Sequence, residues 1–187
     1  MYDAIVLAGG RARRLGGAAK PQLTVGDRTL LDAVLAAVAD AGRTVVVGPQ
    51  QPASRPVVWR REEPSGGGPV AAIAAGLPGV RSDVVLVLAA DLPGIAPAVP
   101  RLLAAVPEAG VAVLTDGHGR ANYLAAAWRR AALAAALERL EVGGASMRSL
   151  LAGVPAVAVP DEAGWGRDCD TWDELARARA EEGTTDA

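Results

Sequence analysis

Short, continuously apolar runs recur along this chain, and segments of helical periodicity separate them. Ala4–Leu7, Thr44–Val47, Val57–Trp59, Val84–Leu88, Val111–Leu114, Leu124–Ala127 and Val154–Val159 are such runs. A strand exposed on one face alternates apolar and polar residues, whereas an unbroken apolar run fits a strand buried on both faces of a mainly parallel sheet. Thr29–Ala41, Pro69–Gly76, Ala98–Val106, Arg129–Glu141 and Trp172–Glu181 read as helices. In the first of these, Leu30, Leu31, Val34, Leu35 and Val38 form an apolar stripe at helical spacing, with Gly42 as the expected stop. Strand–helix alternation over the whole length predicts one α/β domain spanning residues 1–187, a three-layer α/β/α sandwich with a fraying tail at 181–187. Ligands of such sheets bind where strands end at their carboxyl edge, so the informative residues are expected just after strands.

The composition narrows the chemistry. The chain has 187 residues, 51% of them apolar, enough for a substantial core even with no Phe, because Ala, Leu and Val can fill it. A net charge of −2 gives no global attraction to nucleic acid or to an acidic membrane. Asp3 stands where a secretory signal would carry positive charge, and no later run reaches the roughly 18 apolar residues of a membrane span, so a cytoplasmic location is expected. With Cys169 and His118 each alone of their kind, neither an internal disulfide nor a Cys/His zinc cluster can form. A metal here would have oxygen ligands, which favours magnesium.

The first run leads straight into Leu7-Ala8-Gly9-Gly10-Arg11-Ala12-Arg13-Arg14-Leu15-Gly16-Gly17-Ala18-Ala19-Lys20-Pro21. Paired glycines let backbone N–H groups approach an anion closely. Arg11, Arg13, Arg14 and Lys20 add positive charge with no acid between them, which suits a triphosphate. A solvated surface loop is the alternative. A Walker loop is excluded because Pro21 follows Lys20, and adjacent Gly9 and Gly10 do not match the dinucleotide fingerprint.

Leu-Ala-Gly-Gly, then Arg14-Leu15-Gly16, then Lys20 resembles the signature of the MobA-like nucleotidyltransferases, the family of the molybdenum cofactor guanylyltransferases. Two further stations follow in the family's order. Gly66-Gly67-Gly68-Pro69 enters a helix, as a family loop that lines the nucleotide site does, although Ala72 stands where a second Gly is usual. Just before it, Glu62 or Glu63 would accept hydrogen bonds from guanine; Glu63 is included among the nucleotide-binding candidates. Ala89-Ala90-Asp91-Leu92-Pro93 ends the fourth run, and Asp91 corresponds to the family's magnesium ligand, with an N-cap as its alternative role. Asp168-Cys169-Asp170-Thr171 corresponds to a later family segment, with Trp172 in place of the common Pro. Alternation would turn Asp168 and Asp170 to one side and Cys169 to the other, into packing.

The resemblance implies a Rossmann-like nucleotidyltransferase fold and Mg2+-dependent transfer of GMP from GTP to the phosphate of molybdopterin, with release of pyrophosphate. Leu7, Ala8, Gly9, Gly10, Arg14, Lys20, Glu63, Gly68, Pro69 and Asp91 would form the nucleotide site, and Arg14, Lys20 and Asp91 would be catalytic. Asp91, joined by Asp170, would hold the metal. Arg120, Arg148 and Asp168 are acceptor-site candidates, each with a plain surface role as alternative; His118 is expected to be solvated. GTP and a molybdopterin-type compound are the expected partners, with transient contact to molybdoenzymes or their chaperones. The other readings are a cytidylyl or sugar-phosphate transferase of the same fold, and a nucleotide-binding regulator without catalysis.

Overall fold

The computed structural model describes residues 1–9, 20–25 and 27–169, with the backbone alone at Lys20. Its strands are β1 (Asp3–Leu7), β2 (Thr24–Val25), β3 (Arg28–Thr29), β4 (Thr44–Val47), β5 (Val58–Arg60), β6 (Val84–Ala89), β7 (Val111–Thr115), β8 (Ala121–Arg129) and β9 (Ala156–Pro160). The helices are α1 (Leu30–Ala37), α2 (Pro69–Gly76), α3 (Ala98–Ala105), α4 (Arg130–Glu138) and α5 (Met147–Leu151). A seven-stranded sheet has the order β5-β4-β1-β6-β8-β7-β9, and β2 pairs with β3 in a separate hairpin. Strands β5, β4, β1 and β6 run parallel, β8 runs against both β6 and β7, and β9 is parallel to β7. The expected mainly parallel mixed sheet is therefore present.

Alternation within the strands sorts the core into two layers. Ala4, Val6, Val46, Leu86 and Leu88 face one side, under Leu31, Val34 and Leu35 of α1 and Val99 and Leu102 of α3. Ile5, Leu7, Val45, Val85 and Val87 face the other, under Val70 and Ile73 of α2, Leu133 and Leu137 of α4, and Leu150 of α5. The centre of the sheet is thus covered on both faces, as the unbroken apolar runs require. Trp128 is 0% exposed in the second layer, and its Nε1 has no hydrogen-bond partner among the described residues. Burying about 150–250 Å2 of indole contributes about 4–6 kcal/mol, while one unmade hydrogen bond costs about 1–3 kcal/mol, so packing decides the position.

Helix α1 is fastened at both ends. Thr29 caps it, its Oγ1 accepting from Asp32 N at 3.0 Å. The Asp32 carboxylate accepts from Ser54 N at 2.7 Å, and Arg55 donates to the carbonyls of Leu35 and Val38 at 3.4 and 3.1 Å. Burial works to raise the pKa of Asp32, but its bonds to Ser54 and Thr29 prevail and hold it below the ordinary value.

Several boundaries differ from expectation. Helix α1 ends at Ala37 rather than Ala41, and Gly42 does not adopt the positive φ of a C-terminal glycine. Gly42 instead donates to Tyr2 O at 2.9 Å, where the chain returns against β1. A Cβ there would lie 3.1 Å from Asp3 Oδ1, so contact with β1 governs this glycine. Strand β8 is longer than the apolar run Leu124–Ala127 because pairing with both neighbours extends it. The β2–β3 hairpin and α5 are too short to show periodicity. The helix expected over Trp172–Glu181 lies outside the described residues.

Asp3 is a buried charge at the amino end of β1, 2% exposed. Its carboxylate accepts from Arg81 N at 2.6 Å, Ser82 N at 2.9 Å and Ser82 Oγ at 3.0 Å. Burial pushes its pKa up, but these bonds, with Arg43 N–H, outweigh it and bring the group below the ordinary value of 3.8. A carboxyl group with a depressed folded value contributes stability that is present above its unfolded pKa and is lost as pH falls through the folded one. We therefore expect Asp3→Asn to cost about 2 kcal/mol at pH 7. The Tm difference from the unsubstituted protein should shrink as pH falls below 3.8. A Tm gap independent of pH would show that the charge contributes nothing.

Candidate active site

Parallel register brings the carboxyl ends of β4, β1 and β6 to one level, with Leu7 paired to both Val47 and Ala89. The last rungs are Ala8 N to Val47 O at 2.8 Å and Ala90 N to Leu7 O at 3.0 Å. Leu7 and Ala8 are buried, and these polar groups are committed to the ladders. They shape the edge of the site. Gly9 is the first exposed residue beyond them. Gly48 follows β4 with φ 152°, and a Cβ on it would lie 2.7 Å from Ala8 C and 2.9 Å from Gly9 N. Glycine at 48 is thus what lets the ends of β1 and β4 close together.

The segment before α2 reaches the same edge. Glu62 is half-buried, and a Cβ on Gly9 would lie 3.8 Å from its Oε1. That oxygen accepts from Gly66 N at 3.2 Å, which ties the glycine-rich loop before α2 beside Gly9. Glu63 is exposed, so of the two glutamates it is Glu62 that stands against Gly9. Gly68 is the N-cap of α2 with φ 90°, and Pro69 occupies the first turn, where its missing N–H costs nothing.

Asp91 follows β6 and is half-buried. Its backbone carbonyl accepts from Cys169 N at 3.2 Å, so the 168–169 segment returns to the backbone of Asp91 although 78 positions separate the bonded residues in sequence (169 − 91). Cys169 is 3% exposed and packs with Val25 and Leu30, as the alternation of the segment anticipates. Asp168 beside it is exposed. Among the described residues no three His, Cys, Asp or Glu side chains form a metal-holding group. Gly10, Arg14 and Asp170, and the side chain of Lys20, lie outside the described residues.

Next to this edge lies a cleft of about 930 Å3 whose walls include Arg120, Tyr123, Met147, Asp161, Arg167 and Asp168. Arg120 and Asp168 therefore share one cavity, whereas Arg148 is exposed on α5 and only its neighbour Met147 lines the cleft. The turn between β7 and β8 forms part of the rim. There Asp116 Oδ1 accepts from the backbone of His118 and of Arg120, both at 2.8 Å. The Arg120 N–H chiefly, with smaller contributions from His118 and the Arg120 charge, outweighs slight burial and lowers the pKa of Asp116. His118 is exposed, as expected.

Two residues of the cleft were not anticipated. Asp161 gathers backbone N–H groups of the turn after β9, and Asn122 sits at a register shift between β7 and β8. The pattern Asp161-x-x-Gly164-x-Gly166 is the signal that was available, a carboxylate followed by glycines that free the backbone to fold onto it.

The family model for the MobA-like NTP transferase domain matches residues 4–159. A molybdenum cofactor guanylyltransferase of Acidiphilium cryptum (strain JF-5) is 36% identical over 169 residues, covering 85% of this chain and 84% of that protein. Among solved structures, molybdopterin-guanine dinucleotide biosynthesis protein A of Archaeoglobus fulgidus superposes with a TM-score of 0.75 at 22% identity, over 98% of this chain and 100% of the other. The 2-C-methyl-D-erythritol 4-phosphate cytidylyltransferase of Thermus thermophilus does so with a TM-score of 0.75 at 23% identity, over the same shares. At such identities the two structures speak for the fold alone.

Because a Cβ at position 48 would collide with backbone rather than with a flexible side chain, Gly48→Ala must push the ends of β1 and β4 apart. We expect a loss of about 1–3 kcal/mol, read as a Tm lower by roughly 2–4 °C per kcal/mol. An unchanged Tm would mean that these two ends are not in contact.

Proposed function

The chain belongs to the MobA-like NTP transferase family and is a nucleotidyltransferase, and on that premise we propose that it transfers GMP from GTP to the terminal phosphate of a molybdopterin-type acceptor. The observation that carries this reading is the meeting of four segments at one sheet edge: Gly9 after β1, Glu62 and the glycine loop, Asp91 after β6, and the 168–169 segment bonded to Asp91. They supply a place for a nucleotide beside a cleft large enough for a second substrate. The relative named a molybdenum cofactor guanylyltransferase supports guanylyl transfer, and with it GTP and a molybdopterin-type acceptor, over the other readings.

In this reaction an acceptor phosphate oxygen attacks the α-phosphorus of GTP in line. A new P–O bond forms, the bond to the β-phosphate bridging oxygen breaks, and pyrophosphate leaves. The chain supplies position and charge rather than a covalent nucleophile. Gly9 and Gly10 admit the phosphates close to the backbone, and Arg14 and Lys20 offset charge on the departing pyrophosphate. Glu62, which accepts from Gly66 N–H, would accept from the guanine edge in preference to Glu63. In the cleft, Arg120 binds the acceptor phosphate.

Magnesium fits the donor set. The ion is commonly held by one or two carboxylates together with substrate phosphates, so it needs no cluster of protein ligands. Asp91 would hold it, with Asp170 as second ligand, and its charge would offset that of the triphosphate. Cytoplasmic location accords with such substrates, and among the described residues no helix is long and apolar enough to cross a membrane.

Pyrophosphate release with magnesium, a molybdopterin-type acceptor and each of GTP, CTP, ATP and UTP in turn tests the reading. Release with GTP alone, and only when acceptor is present, is expected. Release with CTP would move the chain to cytidylyl transfer, and GTP binding without turnover would point to another acceptor, sugar phosphates first. Asp91→Ala should lower transfer at least about 10²–10³-fold while GTP still binds weakly. Full activity in that variant would remove the metal assignment. Lys20→Ala should reduce kcat by a comparable factor, about 10²-fold, and unchanged turnover would remove its charge-offsetting role.

A further inference from the structure

The turn after β9 is built around one carboxylate. Asp161 N–H makes the last rung of the β7–β9 ladder, donating to Thr115 O at 2.7 Å. The side chain of the same residue then reaches forward. Its Oδ1 accepts from Trp165 N at 2.8 Å and Ala163 N at 3.3 Å, and its Oδ2 accepts from Gly166 N at 2.8 Å. Both carboxylate oxygens are therefore spent on backbone, and the chain from 161 to 166 closes on them. Charge-assisted bonds of this kind are the stronger ones.

The loop is also pinned from outside. Asn122 Nδ2 donates to Gly166 O at 2.9 Å, while its Oδ1 accepts from Leu124 N at 3.1 Å. Asn122 lies where β7 and β8 change register, between Val113 opposite Ala126 and Leu114 opposite Asn122. Such irregularities re-aim side chains near sites. Gly166 is pressed onto this point, since a Cβ there would lie 2.6 Å from Leu114 Cδ2. On the far side Trp165 lies under Arg101, whose guanidinium stands 4.3 Å from the ring centroid and 3.1 Å from Glu162 Oε2.

The chain leaving this knot is Arg167-Asp168-Cys169, which lines the cleft and then bonds to Asp91 O through Cys169 N. Only two residues, Arg167 and Asp168, separate the knot at Gly166 from that bond at Cys169. We propose that Asp161 and Asn122 are positioning residues: together they fix the 167–169 segment between the acceptor cleft and Asp91, and so hold the acceptor side of the site in register with the nucleotide side. This rests on the transferase reading above. The bonds of both residues run to the turn after β9 and within β8, where the cleft is lined, and none runs to Gly9 or to the glycine-rich loop before α2, which assigns them to the acceptor side.

Cys169 is the sole cysteine and is 3% exposed, so its thiol reports the seating of this segment without any substrate. Asp161→Ala and Asn122→Ala are to be compared with the unsubstituted protein by thiol labelling, GTP affinity and acceptor kinetics. Freeing the segment should speed Cys169 labelling about 10-fold or more under native conditions. A misplaced acceptor should lower kcat/KM for it about 10–100-fold, with GTP Kd within about twofold and the KM for acceptor carrying most of the change. Unchanged labelling and unchanged acceptor kinetics in both variants would overturn the proposal. So would a parallel loss of GTP affinity and Tm, which marks a merely structural role. If Asp161→Ala does not fold, Asn122→Ala decides alone. Absence of GMP transfer in the unsubstituted protein defeats the proposed function instead, and the labelling rates still decide whether Asp161 and Asn122 seat the segment.

Discussion

Strand β1 is hydrogen-bonded along both edges, to β4 and to β6, and packed on both faces, and the site inherits its geometry from that arrangement. A parallel sheet sends successive strand ends to the same side, so loops far apart in sequence emerge together. The shared register at Leu7 puts Gly9, Gly48 and Asp91 at one level without any side-chain contact having to specify it. Moving one of these ends would break ladder bonds, each worth about 1 kcal/mol net, and would open a closely packed interior as well. The chemistry therefore rests on loops, while the precision rests on the ladders beneath them.

The direction of the strands also sorts the carboxylates. Asp3, at the amino end of β1, is fully buried and surrounded by backbone and hydroxyl donors, so its charge is consumed in joining β1 to the turn before β6. Asp91, just past the carboxyl end of β6, is half-buried at the edge proposed as the substrate site. A similar contrast recurs over a few residues near the end of the described chain. Asp161 spends both oxygens on the turn, whereas Asp168 is exposed on the cleft wall. Composition alone does not separate these roles; the burial of each carboxylate and its place along the strands do.

Much of this was legible in the sequence, for physical reasons. Every strand of the large sheet was visible as a short apolar run: β1, β4 and β6 because burial on both faces demands it, and the edge strands β5 and β9 by their composition, although both carry exposed residues. The order itself, and the reversal of β8, depend on pairing between distant segments and leave no local trace. Asp91 could be located because a carboxylate directly after a buried run is conspicuous. The choice between Glu62 and Glu63 could not be made, since loop backbone has no periodicity to say which side chain turns toward Gly9. Asp161 and Asn122 escaped notice because they bond to backbone rather than to recognisable partners. Gly42 misled because a glycine after a helix usually ends it, and here proximity to β1 was the stronger demand.

The reversed strand has a wider meaning. Because β8 runs against its neighbours, it begins at the site edge rather than ending there, and a tight turn, Asp116 to Arg120, is all that joins it to β7. One wall of the cleft is thus made by a local hairpin, while the proposed nucleotide edge is made by parallel strands joined through crossovers. Changes in the length or charge of that hairpin can reshape what the cavity admits and leave the β1, β4 and β6 ladders untouched. The fold separates a part that is hard to alter from a part that is easy to alter, and lineages could acquire new acceptors by rewriting only the second.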